Sequence, residues 1–137
     1  MSAPAVERTL IVVKPDAVAR GFVGEILGRF EKRGMKIIQL RAQKMAKAKA
    51  EEFYNVHKDK PFFGELVASF SGGATVGAVI EGRDAVAMVR RMVGATKSWE
   101  SAPGTIRGDL ATGLTDNAIH ASDSKESFER ESKAYFS

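Results

Sequence analysis

The chain of 137 residues has no cysteine, and of its residues only two are His and one is Trp. Without cysteine there is no thiolate catalysis, no thiolate-bound zinc and no disulfide framework, and the redox compartment is left undetermined. Two histidines without a thiol are too few to build a metal site of their own. The longest purely apolar run, Leu10-Ile11-Val12-Val13, is far short of the ~20 residues of a membrane-spanning helix. Met1 to Arg8 shows no basic start leading into an apolar stretch, so no secretory signal is expected, and a cytoplasmic protein is the default.

What is present suits one ordinary domain over residues 1–137. Of its residues, 44% are hydrophobic and 28% charged, and a core of this size buries roughly two-thirds of the unfolded surface. Lys and Arg number 21 against 17 Asp and Glu, a net charge of +4. That excess suits phosphate-bearing partners, although it is spread along the chain as on an ordinary basic surface.

Periodicity orders the elements. Thr9 to Lys14 reads as a fully buried strand that ends in a Pro15-Asp16 turn, with Lys14 at its exit. Val23, Ile26, Leu27 and Phe30 form one helical stripe ending near Gly34, and Met35 to Met45 reads as a second strand. Two short helices follow, one through Ala50, Phe53, Tyr54 and His57, the other through Phe63, Leu66, Val67 and Phe70. Thr75 to Ile80 is a third strand closed by Glu81-Gly82, and Ala85 to Val93 a helix ending at Gly94. Ala95 to Asp116 shows little periodicity, and a structureless stretch of that length is often functional. Asn117 to Ala121 is a short fourth strand, and Ser124 caps a terminal helix that runs to Phe136. This βαββαβ order with additions predicts a ferredoxin-like α+β sandwich, a four-stranded antiparallel sheet with helices on one face. Many functions share that architecture, so the site must decide.

The familiar phosphate loops fail. Gly94-Ala95-Thr96-Lys97-Ser98 lacks the glycines of a P-loop, and Gly21, Gly24 and Gly28 lie on a helix rather than between a strand and its helix. Arg20-Gly21-Phe22 lacks the later aromatics of an RNA-binding strand. His120 is more informative. Taken alone it reads as a half-buried structural or turn-capping histidine. On the terminal helix, however, Glu131 lies at the edge of the inward stripe of Phe128 and Tyr135, with Arg130 and Lys133 on the opposite face. A carboxylate there needs a partner, in solvent a Lys or Arg, at the core margin a His. Pairing with His120 would fix the imidazole tautomer and leave the other ring nitrogen as a nucleophile whose cationic intermediate Glu131 stabilises.

Asn117-Ala118-Ile119-His120-Ala121-Ser122-Asp123 closely resembles the active-site signature of nucleoside diphosphate kinases. Lys14-Pro15-Asp16, Tyr54 through Lys60-Pro61-Phe62-Phe63, and Gly104-Thr105-Ile106-Arg107-Gly108-Asp109 match the same family in the same order. The resemblance implies a ferredoxin-like core and a ping-pong transfer. The γ-phosphoryl group of a nucleoside triphosphate would pass to Nδ1 of His120 and then to a nucleoside diphosphate. Glu131, assisted by Ser122, would hold the other side of the ring. Lys14, Arg90 and Arg107 would neutralise phosphate oxygens, with Tyr54 and Thr96 as hydroxyl donors, while Arg91 remains an ordinary surface residue. Asn117 and Lys14 would contact the ribose hydroxyls. Phe62, read alone as a core extension or an exposed ring, would join Leu114 and Leu66 in a slot that stacks on any base. His57 fits the phosphate region and a core edge equally well.

The resemblance also implies Mg²⁺ held by the nucleotide phosphates, with Asp123 as a contact through water. It implies a homo-oligomer built from dimers, with a hexamer as the expected complete form and a tetramer or dimer as alternatives. Ala121, Ala17 and Gly73 depart from the Gly, Gly and Pro common in the family, and the chain stops at Ser137 where longer members carry an extension. Membrane attachment is not expected and nucleic acid is not required. The rival reading is a non-catalytic ferredoxin-like regulatory or nucleic-acid-binding module, which would not need His120.

Overall fold

The computed structural model describes residues 3–113 and 116–137. Its centre is strand β1 (Val6–Val13), which pairs antiparallel with β3 (Ala74–Arg83) on one side and with β4 (Ile119–Ala121) on the other. Strand β2 (Lys36–Lys44) pairs antiparallel with β3, giving the order β2-β3-β1-β4, with a bulge between Ile37 and Gln39. This is the ferredoxin-like α+β fold expected from the element order.

Alternation along β1 divides the core. Ile11 and Val13 face helices α2 (Val23–Lys32), α5 (Ala85–Val93) and α6 (Ile106–Leu110), through Ile26, Phe30, Val89, Val93 and Ile106. Leu10 and Val12 face α3 (Lys47–Phe53), α4 (Phe63–Ser71) and α7 (Lys125–Phe136), through Phe53, Val67, Phe70, Ala134 and Tyr135. Helices therefore cover both faces of the sheet, not one. The continuous apolar run of β1 is the physical reason, because a strand with only one buried face alternates with polar residues.

The structure differs from the periodicity in further places. Helix α3 stops at Phe53, with His57 in a separate 3-10 turn at Asn55–His57. Strand β1 starts at Val6 rather than Thr9, and β4 at Ile119 rather than Asn117. Pro15–Ala19 is a short helix, α1, with Pro15 in its first turn, where the missing N–H costs nothing. Strand β3 runs through Glu81 and Gly82 to Arg83, because β1 extends back to Val6 and supplies their partners. The stretch after Gly94 holds a 3-10 turn at Ser98–Glu100 and the helix α6. The Gly104 to Asp109 motif explains that helix. Gly104 takes φ of 96°, Thr105 caps by accepting from Gly108 N, and Asp109 accepts from Gly104 N at 2.9 Å and from Arg29 at 2.8 Å. A Cβ on Gly108 would lie 2.0 Å from the Ala102 carbonyl oxygen.

Helix α7 is set at both ends. Ser124 caps its start by accepting from Ser127 N at 3.0 Å, as its sequence position predicts. Near its end the Tyr135 hydroxyl bonds Thr75 Oγ1 at 2.8 Å and donates to the Arg41 carbonyl at 3.2 Å. The ring packs directly against Gly77, where a Cβ would stand 2.3 Å from Tyr135 Cε1. Glu131 is one turn before Tyr135 on the same face, so Gly77 sets how closely the carboxylate approaches the sheet.

Gly77→Ala is accordingly expected to cost about 1–3 kcal/mol through overpacking. A lower urea midpoint with an unchanged slope is the outcome to look for; unchanged stability would mean that Tyr135 can move aside.

Candidate active site

His120 sits on β4 opposite Val12 of β1, at the foot of a cleft of about 440 Å³. Its ring is wedged edge-on between three aromatic rings, with centroids 5.0 Å from Phe53, 5.9 Å from Tyr54 and 5.9 Å from Phe70. Nε2 meets Glu131 Oε1 at 2.7 Å, and Ser122 Oγ donates to the same oxygen at 2.7 Å. The pairing read from the helix wheel is therefore present. Nδ1 is left without a hydrogen-bond partner among the described residues.

Glu131 is buried. Burial pushes its pKa up, but the bonds from His120 and Ser122 and the nearby charge of Arg130 outweigh that and hold it below the usual carboxylate range. Arg130 corrects the helix wheel, which placed it on the far side. Its long side chain reaches round so that Nη2 donates to Glu131 Oε2 at 3.3 Å, and it lines the cleft.

Cations converge from three other elements. Lys14, at the end of β1, is buried and donates to Asn117 Oδ1 at 3.1 Å. Arg90, from α5, donates to the Ala121 carbonyl at 3.2 Å. Arg107, from α6, is buried with Nε on the Asn117 carbonyl at 3.3 Å and Nη2 on the Ile119 carbonyl at 2.7 Å. Burial, with Arg90 beside it, lowers the Arg107 pKa to about 10, so the guanidinium stays charged at neutral pH. Burial first, then the Glu131 charge, raises the Tyr54 pKa, so its hydroxyl keeps its proton as a donor.

His120, Glu131, Arg130, Lys14, Arg90, Arg107, Phe53 and Tyr54 line one cleft, together with His57, Leu66, Thr96, Asn117 and Asp123, whereas Phe70 lies beneath it in the core. Ser122 stands behind the cleft, reaching it through Glu131. Phe62 does not line the cleft. It lies at the start of α4, half exposed, with its ring centroid 5.8 Å from that of His57. Leu114 lies outside the described residues. Sequence reasoning missed the wedge formed by Phe53 and Phe70, whose stripes read simply as core, and it missed the reach of Arg130. At the departures from the family pattern, Ala17 and Ala121 are buried without strain, and a Cβ on Gly73 would meet Pro15 Cβ at 3.3 Å.

No group of three His, Cys, Asp or Glu able to hold a metal occurs among the described residues. A cleft lined by Lys14, Arg90 and Arg107 suits a polyanion, and a divalent cation fits it as a passenger on the anion's own oxygens, near Asp123. Asp123 is held below the usual carboxylate range chiefly by the hydroxyl of Ser127, which donates at 2.7 Å. An imidazole with an available nitrogen beneath such a polyanion can attack it as a nucleophile.

The comparisons with known proteins point the same way. The family model described as nucleoside diphosphate kinase matches residues 7–137. A nucleoside diphosphate kinase of Hyperthermus butylicus is 50% identical over 132 residues, which cover 96% of this chain and 93% of that protein. Among solved structures, the nucleoside diphosphate kinase of Aquifex aeolicus superposes with a TM-score of 0.94 at 49% identity, covering 97% of this chain and 96% of that one. That of the halophile Halobacterium salinarum, in complex with CDP, does so with a TM-score of 0.92 at 42% identity, over 96% and 88%. The chain belongs to the nucleoside diphosphate kinase family and is a phosphotransferase.

Lys14 gives the site a pH dependence of two signs. Burial lowers its pKa from 10.5 to about 8, against the pull of Asp16 and with the push of Arg107. Affinity for a polyphosphate anion should fall as pH rises through about 8, as the cation loses its proton. Folding stability should move the other way. Between about 8 and 10.5 the unfolded chain holds the proton that the folded chain has released, so the Lys14 contribution to stability rises across that window. Titrations with inorganic tripolyphosphate and with urea from pH 7 to 9.5 test both; an affinity that does not change over this range contradicts the assignment.

Proposed function

We propose that this nucleoside diphosphate kinase passes the γ-phosphoryl group of a nucleoside triphosphate to a nucleoside diphosphate through phosphohistidine on His120. The contact between Nε2 of His120 and Oε1 of Glu131 at 2.7 Å carries the reading, since it commits one ring nitrogen and leaves Nδ1 to react. The Nδ1 lone pair attacks the γ-phosphorus, the bond to the bridging oxygen breaks, and the diphosphate leaves with the electron pair. The ring, now bonded at Nδ1 and protonated at Nε2, is cationic and is stabilised by Glu131, which Ser122 orients. An acceptor diphosphate in the same cleft then attacks phosphorus, and the electrons of the N–P bond return to Nδ1.

The transition state is loose, so most of the catalysis is positioning and charge neutralisation. Lys14, Arg90 and Arg107 supply the charge, Tyr54 and Thr96 supply hydroxyl donors, and Lys14 and Asn117 hold the ribose. Phe62, Leu66 and Leu114 grip the base by its faces, which tolerates any base and supports broad specificity. Mg²⁺ on the phosphates, with Asp123 as a contact through water, would neutralise charge on their oxygens. The reaction requires neither membrane nor nucleic acid, and we place it in the cytoplasm with the nucleotide pool, in one catalytic domain over residues 1–137.

We read the assembly as a homo-oligomer built from dimers, with a hexamer as its complete form. The outer edge of β2 supports this reading. It has no strand beside it among the described residues, and it exposes Ile38 and Leu40. Leu40→Glu should shift the sedimentation coefficient toward monomer, whereas an unchanged value places the contact elsewhere.

Incubation with γ-labelled ATP and Mg²⁺ should leave acid-labile, alkali-stable label on the wild type and none on His120→Ala. A nucleoside diphosphate should discharge that label as triphosphate. Glu131→Gln should slow labelling roughly ten- to a hundredfold, the scale of one charge-assisted hydrogen bond. Label that persists in His120→Ala would refute the nucleophile.

A further inference from the structure

Three residues before His120's neighbour Ala121, the backbone takes a conformation that its residue type disfavours. Ala118 has φ of 71°, in the left-handed region, and the Ile119 N–H donates to the Asn117 carbonyl at 2.8 Å across it. A bond spanning three residues about a positive φ marks the strained form of γ-turn. Asp84 is the other non-glycine residue with positive φ among those described, and it lies outside the cleft, at the start of α5. Such strain persists only where the surroundings over-determine it, and it marks places where geometry serves function.

The surroundings here are specific. Asp16 Oδ2 accepts the buried Ala118 N–H at 3.1 Å, and the Ala118 carbonyl accepts from Lys14 N at 2.9 Å. The Lys-Pro-Asp segment thus grips both polar groups of the strained residue. The two residues flanking Ala118 in the turn are the ones whose carbonyls receive Arg107, at 3.3 Å from Asn117 and 2.7 Å from Ile119, while the Asn117 side chain receives Lys14. Ile119 leads directly into His120. One turn therefore fixes two cations and the imidazole relative to each other.

We propose that Asp16 is a positioning residue for phosphoryl transfer, holding Ala118 in the γ-turn that sets Lys14, Arg107 and His120 in mutual register. The proposal rests on the reading of His120 as nucleophile. Without the Asp16 acceptor, Ala118 gains by relaxing out of the left-handed region, and the Asn117 and Ile119 carbonyls turn away from Arg107. Glycine at 118 would remove the incentive to relax, because it adopts positive φ without penalty. Asparagine at 16 keeps an acceptor oxygen for the same N–H.

The test is single-turnover labelling from γ-labelled ATP and Mg²⁺ on the full chain, at saturating ATP, for D16A, D16N, A118G and the double variant D16A/A118G. D16A should slow labelling roughly a hundredfold, the scale of a misplacement of about 1 Å. D16N should retain most of the rate, and D16A/A118G should recover at least roughly tenfold over D16A. Amide exchange in the wild type supplies an independent readout, in which the Ala118 N–H should be strongly protected. A D16A chain that labels at the wild-type rate, a folded double variant as slow as D16A, or an Ala118 amide exchanging as fast as an open loop would each overturn the proposal. If D16A does not fold, the Ala118 exchange and the D16N rate decide. Wild-type label on another residue would instead refute the nucleophile assignment, with the Ala118 exchange still reporting on the turn.

Discussion

A buried carboxylate is stable only when its oxygens are satisfied, and Glu131 meets that condition with groups that line or adjoin the candidate site. One oxygen takes both His120 and Ser122, and the other takes Arg130. In the proposed mechanism the reacting ring nitrogen is selected by elimination, because Nε2 is committed to Glu131. Nothing in β4 alone would do this. The strand is three residues long, and the orientation of its histidine comes from α7 on one side and from the wedge of Phe53, Tyr54 and Phe70 on the other.

The same dependence runs outward through the fold. Glu131 is held at its height by Tyr135, which sits on Gly77 and is pinned by Thr75, so a glycine in the middle of β3 governs an interaction on β4. The polar cradle around the imidazole is organised from the other face of the sheet, where α5 and α6 deliver Arg90 and Arg107. Each layer of helices supplies one half of the site, the carboxylate from one and two arginines from the other. An architecture with helices on only one face could not do so.

Much of this was legible in the chain. The stripes of α2, α4 and α5, the strand β2 and the cap of α7 follow from spacing, and the partnership of His120 with Glu131 follows from a helix wheel. Two short helices were not legible, α1 and α6, each five residues long and so too brief to show a period. Helix α1 is tied down by a tertiary bond from Ala118 N to Asp16, and α6 by the local Gly104 to Asp109 cap together with the tertiary bond from Arg29 to Asp109. The second covered face was in fact signalled by Leu10-Ile11-Val12-Val13, since a strand apolar at every position has to be buried from both sides. Arg130 was assigned by the angle of its Cβ, and a side chain of that length is not bound by it.

Arg107 directs one N–H each at the carbonyls of Asn117, Ile119 and, at 3.5 Å, Gly94. A guanidinium has five such donors, which leaves two. A side chain tethered in this way has surrendered its rotational freedom before any ligand arrives, so engaging an anion costs it little further entropy. On the proposed role its grip would owe nothing to the base or sugar at the far end of a nucleotide. Donor and acceptor that differ in every other respect would then meet the same rigid fork, as the proposed alternation of one small cleft between two unlike visitors requires.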